Sequence, residues 1–167
     1  MNQELNQETL KERLAKNPGV VLENLQERYQ VSLAGVLEAL PENMWKKIDG
    51  SHFVEVLTRV ATIGPVMVLI HTADSIFEIS GDFPTGETSH GYYNLHGGKS
   101  GLHGHLKPEK CQSIYFVERP FMKRDTASIL FMNQEGNAIF KIFLGRNEDG
   151  QIRPEQLAAF HEMAQMK

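Results

Sequence analysis

The amino-acid sequence predicts an α+β fold: N-terminal helices, then a large antiparallel β-sheet, then a C-terminal helix, with closure of the sheet into a split barrel left open. Three observations predict it. Up to about residue 61, apolar side chains recur at three- and four-residue steps. From residue 66 the pattern shortens to strand-length runs bounded by Gly, Pro, Asn and Asp. Those runs follow one another with almost nothing helical between them, which favours an antiparallel sheet with helices segregated to its ends.

Each element has its own signal. Residues 9–16 form a short helical pattern closed by the breaker Asn17-Pro18-Gly19. Residues 20–29 place Val21, Leu22 and Leu25 on one helical stripe. Ser32 is a helix cap ahead of Leu33, Val36, Leu37 and Leu40, and Pro41 ends that helix. A fourth helix is predicted over about 51–61, where Phe53, Val56, Leu57 and Val60 share a face. Strands are predicted at 66–70, 76–79, 90–95, 102–106 and 113–118. Two more, at 128–132 and 138–144, flank the hairpin turn Asn133-Gln134-Glu135-Gly136. Pro154 opens a last helix to about 166, with Leu157, Phe160 and Met163 on one side. There is no internal repeat or low-complexity tract. Residues 1–167 are read as one domain, with a helical subdomain at 1–48 and an α+β core at 49–167.

Composition narrows the function. Apolar residues make up 41% of the 167-residue chain and charged ones 23%, which is ordinary globular usage and excludes wholesale disorder. Seventeen Lys and Arg face 21 Asp and Glu, so the formal charge of −4 lacks the cationic excess of a nucleic-acid surface. The three N-terminal helices resemble a helix-turn-helix, but the stretch from Ser32 to Leu40 holds no Lys or Arg and carries Glu38. They are read as packing or dimer-contact elements. The longest apolar run, 63–70, contains Gly64 and Pro65 and is too short to span a bilayer. The N-terminus MNQELNQETLKERLAK is polar, unlike a secretion signal, and Cys111 stands alone. The expected compartment is the cytoplasm.

The chemistry concentrates in histidines. Of seven, four fall within the sixteen residues from His90 to His105, together with five of the fourteen glycines. Histidine is a common neutral nitrogen ligand for iron, zinc and copper, and glycine lets a backbone approach something large and flat, or turn sharply. The same composition also describes a plain solvated loop. His103 and His105 share one face of their strand. His71 ends an apolar strand, where an imidazole is costly to bury without a partner or a metal; Asp74, three residues on, is a candidate to orient it, and a hydrogen-bonded structural histidine is an equal reading. Tyr115 shares a face with Ser113 and Val117; it is read as packing, with phenolate ligation of a ferric centre in reserve. Cys111 is read as a small buried apolar group. The cluster Arg119-Pro-Phe-Met-Lys123-Arg124 is either solvated surface or an anchor for carboxylates.

Five segments together carry a family resemblance. Leu69-Ile-His-Thr-Ala-Asp74, Gly104-His-Leu-Lys107, Ile114-Tyr-Phe-Val-Glu-Arg119, Asp125-Thr-Ala-Ser-Ile-Leu130 and Lys141-Ile-Phe-Leu-Gly-Arg146 resemble the motifs of the HutX/ChuX intracellular haem-utilisation proteins. The likeness runs from the first helix to the last. It implies a carrier that takes up haem (iron protoporphyrin IX) after import and delivers it to a haem-degrading enzyme. It also implies a homodimer whose subunit resembles one half of the two-repeat haem-degrading proteins. Two histidines of that family implicated in haem binding correspond to His71 and His105, whereas the position of Tyr115 varies among members.

Residues and resemblance suggest one scheme. Leu69, Phe116, Phe121 and Met122 would bury part of the porphyrin, each 100 Å² contributing on the order of 2.5 kcal/mol before ordering costs. His71 or His105 would ligate the iron, and Arg119, Lys123 or Arg124 would meet the propionates. The rivals are a haem-degrading oxygenase and a non-haem metal protein. The Gly97-Gly98-Lys-Ser-Gly101 segment is no dinucleotide fingerprint, and no HExxH or CxxC spacing supports zinc.

Overall fold

The computed structural model describes residues 8–167; residues 1–7, the start of the polar N-terminal stretch, lie outside the described residues. Thr9 caps helix α1 (Leu10–Lys16) through a capping box, its hydroxyl accepting from the Glu12 amide while the Glu12 carboxylate accepts from the Thr9 amide. Helix α2 (Leu22–Tyr29) follows the Asn-Pro-Gly breaker. Ser32 caps α3 (Leu33–Glu38) by accepting from the Gly35 amide. A single turn, Glu42–Met44, leads into strand β1 (Trp45–Asp49), and a second turn, Gly50–His52, into α4 (Phe53–Val60).

Then come the strands: β2 (Pro65–His71), β3 (Ile76–Asp82), β4 (Gly86–Ser89), β5 (Tyr92–Gly97), β6 (Leu102–Leu106), β7 (Ser113–Phe121), β8 (Arg124–Met132) and β9 (Ala138–Leu144). Helix α5 (Pro154–Met163) closes the chain, with Pro at its first position. The six-stranded sheet runs β1-β7-β8-β9-β2-β3, antiparallel throughout, and a three-stranded sheet runs β4-β5-β6. Strands β1 and β3 are opposite edges of the large sheet and do not pair, so it does not close into a barrel.

Strict alternation along the strands sends side chains to two separate cores. One face, with Val66, Val68, Ile129, Phe131 and Ile142, packs against α4, α5 and the inner side of the small sheet through Tyr93 and Leu95. Its centre is aromatic: Phe131 stacks on Phe140 at 4.7 Å, and Phe53 meets both edge-on. The other face is covered only in part. Helices α1 to α3 bring Leu14, Leu22, Leu25, Leu33, Val36 and Leu37 onto Tyr115, Val117, Leu130 and Met132. Toward β9 and β2 the cover ends, leaving Met67, Leu69 and Phe143 half-buried along an open groove.

Two strands carry no periodic signal in the sequence. β1 buries only Ile48 and turns two lysines to solvent at the sheet edge, and β4 (Gly-Glu-Thr-Ser) buries nothing fully. The glycines between β5 and β6 serve the turn: Gly97, Gly98 and Gly101 all have positive φ. Gly97 also makes room for a neighbour, since a Cβ there would stand 2.3 Å from the His103 ring.

Candidate functional site

His71 is the last residue of β2 and shares the open face with Leu69 and Met67. Its Nδ1 faces the Oε1 of Glu23, on α2, at 3.5 Å. The same oxygen accepts from Lys141 Nζ, which rises from β9 beside Leu69 in the pairing register. Lys141 is only 8% exposed. Burial alone would raise the Glu23 carboxyl; the charge and hydrogen bond of Lys141, with a smaller contribution from His71, hold it below the ordinary value. Asp74 does not reach His71; its amide donates to Thr72 Oγ1 within the β2–β3 turn. The orienting carboxylate thus comes from another element. The only sequence hint of it was a lysine inside the apolar stretch Ala-Ile-Phe-Lys-Ile-Phe-Leu, which needs a counter-charge.

Along the same face of β2, starting at Leu69, the groove encloses about 430 Å³, floored by Met67, Leu69, Phe121 and Phe143, with Glu78, Arg146 and Arg153 on its walls. This differs from the expected apolar bed. Phe116 points to the opposite face and is buried there, and Met122 sits 80% exposed at the tip of the β7–β8 turn. Lys123 is at the same tip.

His105 stands on the outer side of the small sheet. The Asn94 amide nitrogen points to the carbonyls of Glu87, Ser89 and Tyr92, so Asn94 Oδ1 accepts from His105 Nδ1 at 2.6 Å. That leaves a lone pair on Nε2. Tyr92 meets the imidazole edge-on at 6.1 Å, and His105 lines a cavity of about 420 Å³ with Lys107, Lys110, Phe53 and Ile139. The large sheet and its first core separate this histidine from His71, so one chain does not bring the two onto a common point.

The other expected site residues have structural roles. Tyr115 is 1% exposed beneath α1–α3, tilted against Trp45 at 6.0 Å. Burial, with Glu38 adding to it, pushes its phenol up to about 12, so it stays protonated and away from the groove. Arg119 donates through one guanidinium nitrogen to the carbonyls of Pro18 and Val20, at 3.0 and 2.7 Å, and lies over Phe121. It straps the α1–α2 linker to β7 rather than waiting for a carboxylate, and burial lowers its pKa. Cys111 is buried, its thiol pushed up to about 11 by desolvation. Of the remaining histidines in the Gly-rich segment, His90 meets Ser89 and His96 faces Glu87 at 3.8 Å. Among the described residues no three His, Cys, Asp or Glu side chains converge on one point, which gives the non-haem metal reading no support. Nor is any described helix long and apolar enough to cross a membrane.

Comparison with known proteins places the sequence and the fold. The family model for haem utilisation ChuX/HutX matches residues 46–163. The intracellular heme transport protein HutX of Vibrio cholerae is 38% identical over 159 residues, covering 95% of this chain and 82% of that one. A crystal structure of ChuX superposes with a TM-score of 0.85 at 46% identity, covering 93% of this chain and 96% of ChuX. A structure described as the heme binding protein ChuX gives 0.84 at 44% identity, covering 93% and 97%. At 12% identity, the heme degrading enzyme ChuS of Escherichia coli O157:H7 still superposes with a TM-score of 0.78; the match takes in 96% of this chain but 49% of ChuS. The expected likeness to half of a two-repeat protein therefore holds at the level of fold.

Proposed function

Since this chain belongs to the ChuX/HutX haem-utilisation family, we propose that it is a haem carrier. It takes up iron protoporphyrin IX in the cytoplasm after import and passes it, untransformed, to a haem-degrading enzyme. The working unit is a homodimer of single-domain subunits.

The observation that carries this reading is His71, on the same face of β2 as Leu69 and Met67, which line an apolar, solvent-open groove, with its Nδ1 turned to a carboxylate. An imidazole so held presents Nε2 outward as a ligand. Met67, Leu69, Phe121 and Phe143 suit one face of a porphyrin, and Arg146 and Arg153 replace Arg119 as the cations nearest the propionates. His105, with Nδ1 fixed by Asn94 and with Lys107 and Lys110 beside it, offers a second, separate nitrogen. A groove covered on one side only holds its cargo without sealing it, as release to an acceptor requires.

Titration with hemin tests this, followed by the Soret band, by quenching of Trp45 (the sole tryptophan) and by electron paramagnetic resonance. The wild type should saturate with a histidine-ligated signal. His71→Ala should lower affinity at least tenfold and change the ligand signature, while His105→Ala should change it less. Affinity should also fall on acidification, because protonated imidazole has no lone pair to donate. A wild type without saturable response, or a double variant that binds as the wild type does, overturns the reading. With a reductant and oxygen, the carrier should keep its Soret band in a single-turnover assay and release no iron; an oxygenase would lose the band.

A further inference from the structure

We infer that Glu23, held by Lys141, is the positioning residue that selects the ligating tautomer of His71, so that the N-terminal helices form part of the haem site. This rests on the reading of His71 as a haem ligand, and it adds residues that lie on both sides of that ligand in the fold.

Lys141 occupies the middle of an apolar strand. A buried ammonium there is costly unless paired, and its partner is supplied by α2, whose Glu23 side chain is only 23% exposed. A simple ion pair would end with those two groups. Here the oxygen that accepts from Lys141 also faces His71 Nδ1 at 3.5 Å, so one carboxylate oxygen serves two elements of the sheet. Lys141 keeps the carboxylate ionised and fixed in place. The carboxylate in turn favours the proton on Nδ1 and leaves the lone pair on Nε2, pointing away from Glu23. An unconstrained neutral histidine side chain prefers the opposite tautomer, so this orientation has to be imposed. Asp74, the acid nearest in sequence, is engaged in its own turn and does not supply it. The carboxylate also makes the imidazole a stronger donor, which favours ferric iron over ferrous. Residue 23 lies outside the stretch 46–163 shared with the family model, so the helical segment contributes chemistry to the site as well as cover.

The test begins with the protein free of haem. In a ¹⁵N-labelled sample at alkaline pH, long-range ¹H–¹⁵N correlation should show His71 as the Nδ1–H tautomer. Glu23→Ala, and the nearly isosteric Glu23→Gln, should shift it toward Nε2–H, and Glu23→Asp should restore it in part. With hemin, Glu23→Ala should lower affinity by roughly 10- to 100-fold and raise the iron reduction potential, while circular dichroism stays native. If both Glu23→Ala and Glu23→Gln leave the His71 tautomer as in the wild type, the inference is overturned. If the tautomer responds but His71→Ala binds hemin as tightly as the wild type, the haem-ligand reading fails while Glu23 still positions the ring. The two failures are therefore distinguishable.

Discussion

Glu23 ties the stability of the protein to acid. Its carboxyl is held below the ordinary value in the folded chain, mainly because Lys141 outweighs the effect of burial. The sign follows from linkage. A depressed folded-state pKa stabilises above the unfolded value, about 4.3, and that stabilisation is lost as the pH falls through the folded value. Urea midpoints measured from pH 7 down to 3 should fall less steeply in Glu23→Gln than in the wild type over the acid limb. At Cys111 the prediction is inertness. With the thiol buried and pushed up to about 11, 5,5′-dithiobis(2-nitrobenzoate) at pH 8 should react with it only after denaturant is added. At this scale the sequence made the candidate histidines legible and their partners not. His71 and His105 stood out by type and setting, but Glu23 and Asn94 reach them from a separate helix and a neighbouring strand. Spacing along the chain points to Asp74 instead. Arg119 shows the same gap: a cation beside a strand suggests an anion, and nothing in the sequence shows two backbone carbonyls folding onto it.

At the scale of elements, α5 has one buried polar anchor besides its apolar face. Gln156 accepts from the Gly145 amide at 2.6 Å and donates to the carbonyls of Ile63 and Pro65, at 3.0 and 2.8 Å. It is fully buried. Gln156→Leu strands three backbone groups at once and should cost about 2–4 kcal/mol in urea unfolding. The β7–β8 hairpin offers the opposite change. Its two turn residues, Met122 and Lys123, both sit at left-handed φ (50° and 63°) without glycine or asparagine. Met122→Asn with Lys123→Gly should stabilise the protein by about 1 kcal/mol, seen as a higher Tm. Element legibility followed burial. β2, β7, β8 and β9 announced themselves by apolar runs, whereas β1 and β4 lie at sheet edges with mostly exposed side chains and so have no period to detect.

The whole molecule is built on one large sheet with a core on each side, a small second sheet helping to close one of them, and the class was legible because the helical and strand periods occupy separate stretches of the chain. Which helices cover which face was not, since that depends on a strand order that skips along the sequence. The N-terminal helices supply most of the cover of Tyr115, Val117, Leu130 and Met132, with Trp45 at its margin. Deleting residues 1–43 should therefore yield a chain that binds 1-anilinonaphthalene-8-sulfonate and aggregates instead of a smaller native core.

The partition between His71 and His105 has a kinetic consequence. With packed layers standing about 10 Å apart, a tetrapyrrole seated at one nitrogen is walled off from the other in the same polypeptide. Passage between them then demands either a full departure into solvent or a collision with another molecule. Mixing hemin-loaded His105→Ala with empty His71→Ala should reveal which: exchange that accelerates with the concentration of the empty species marks hand-to-hand relay, whereas a concentration-independent rate marks free dissociation.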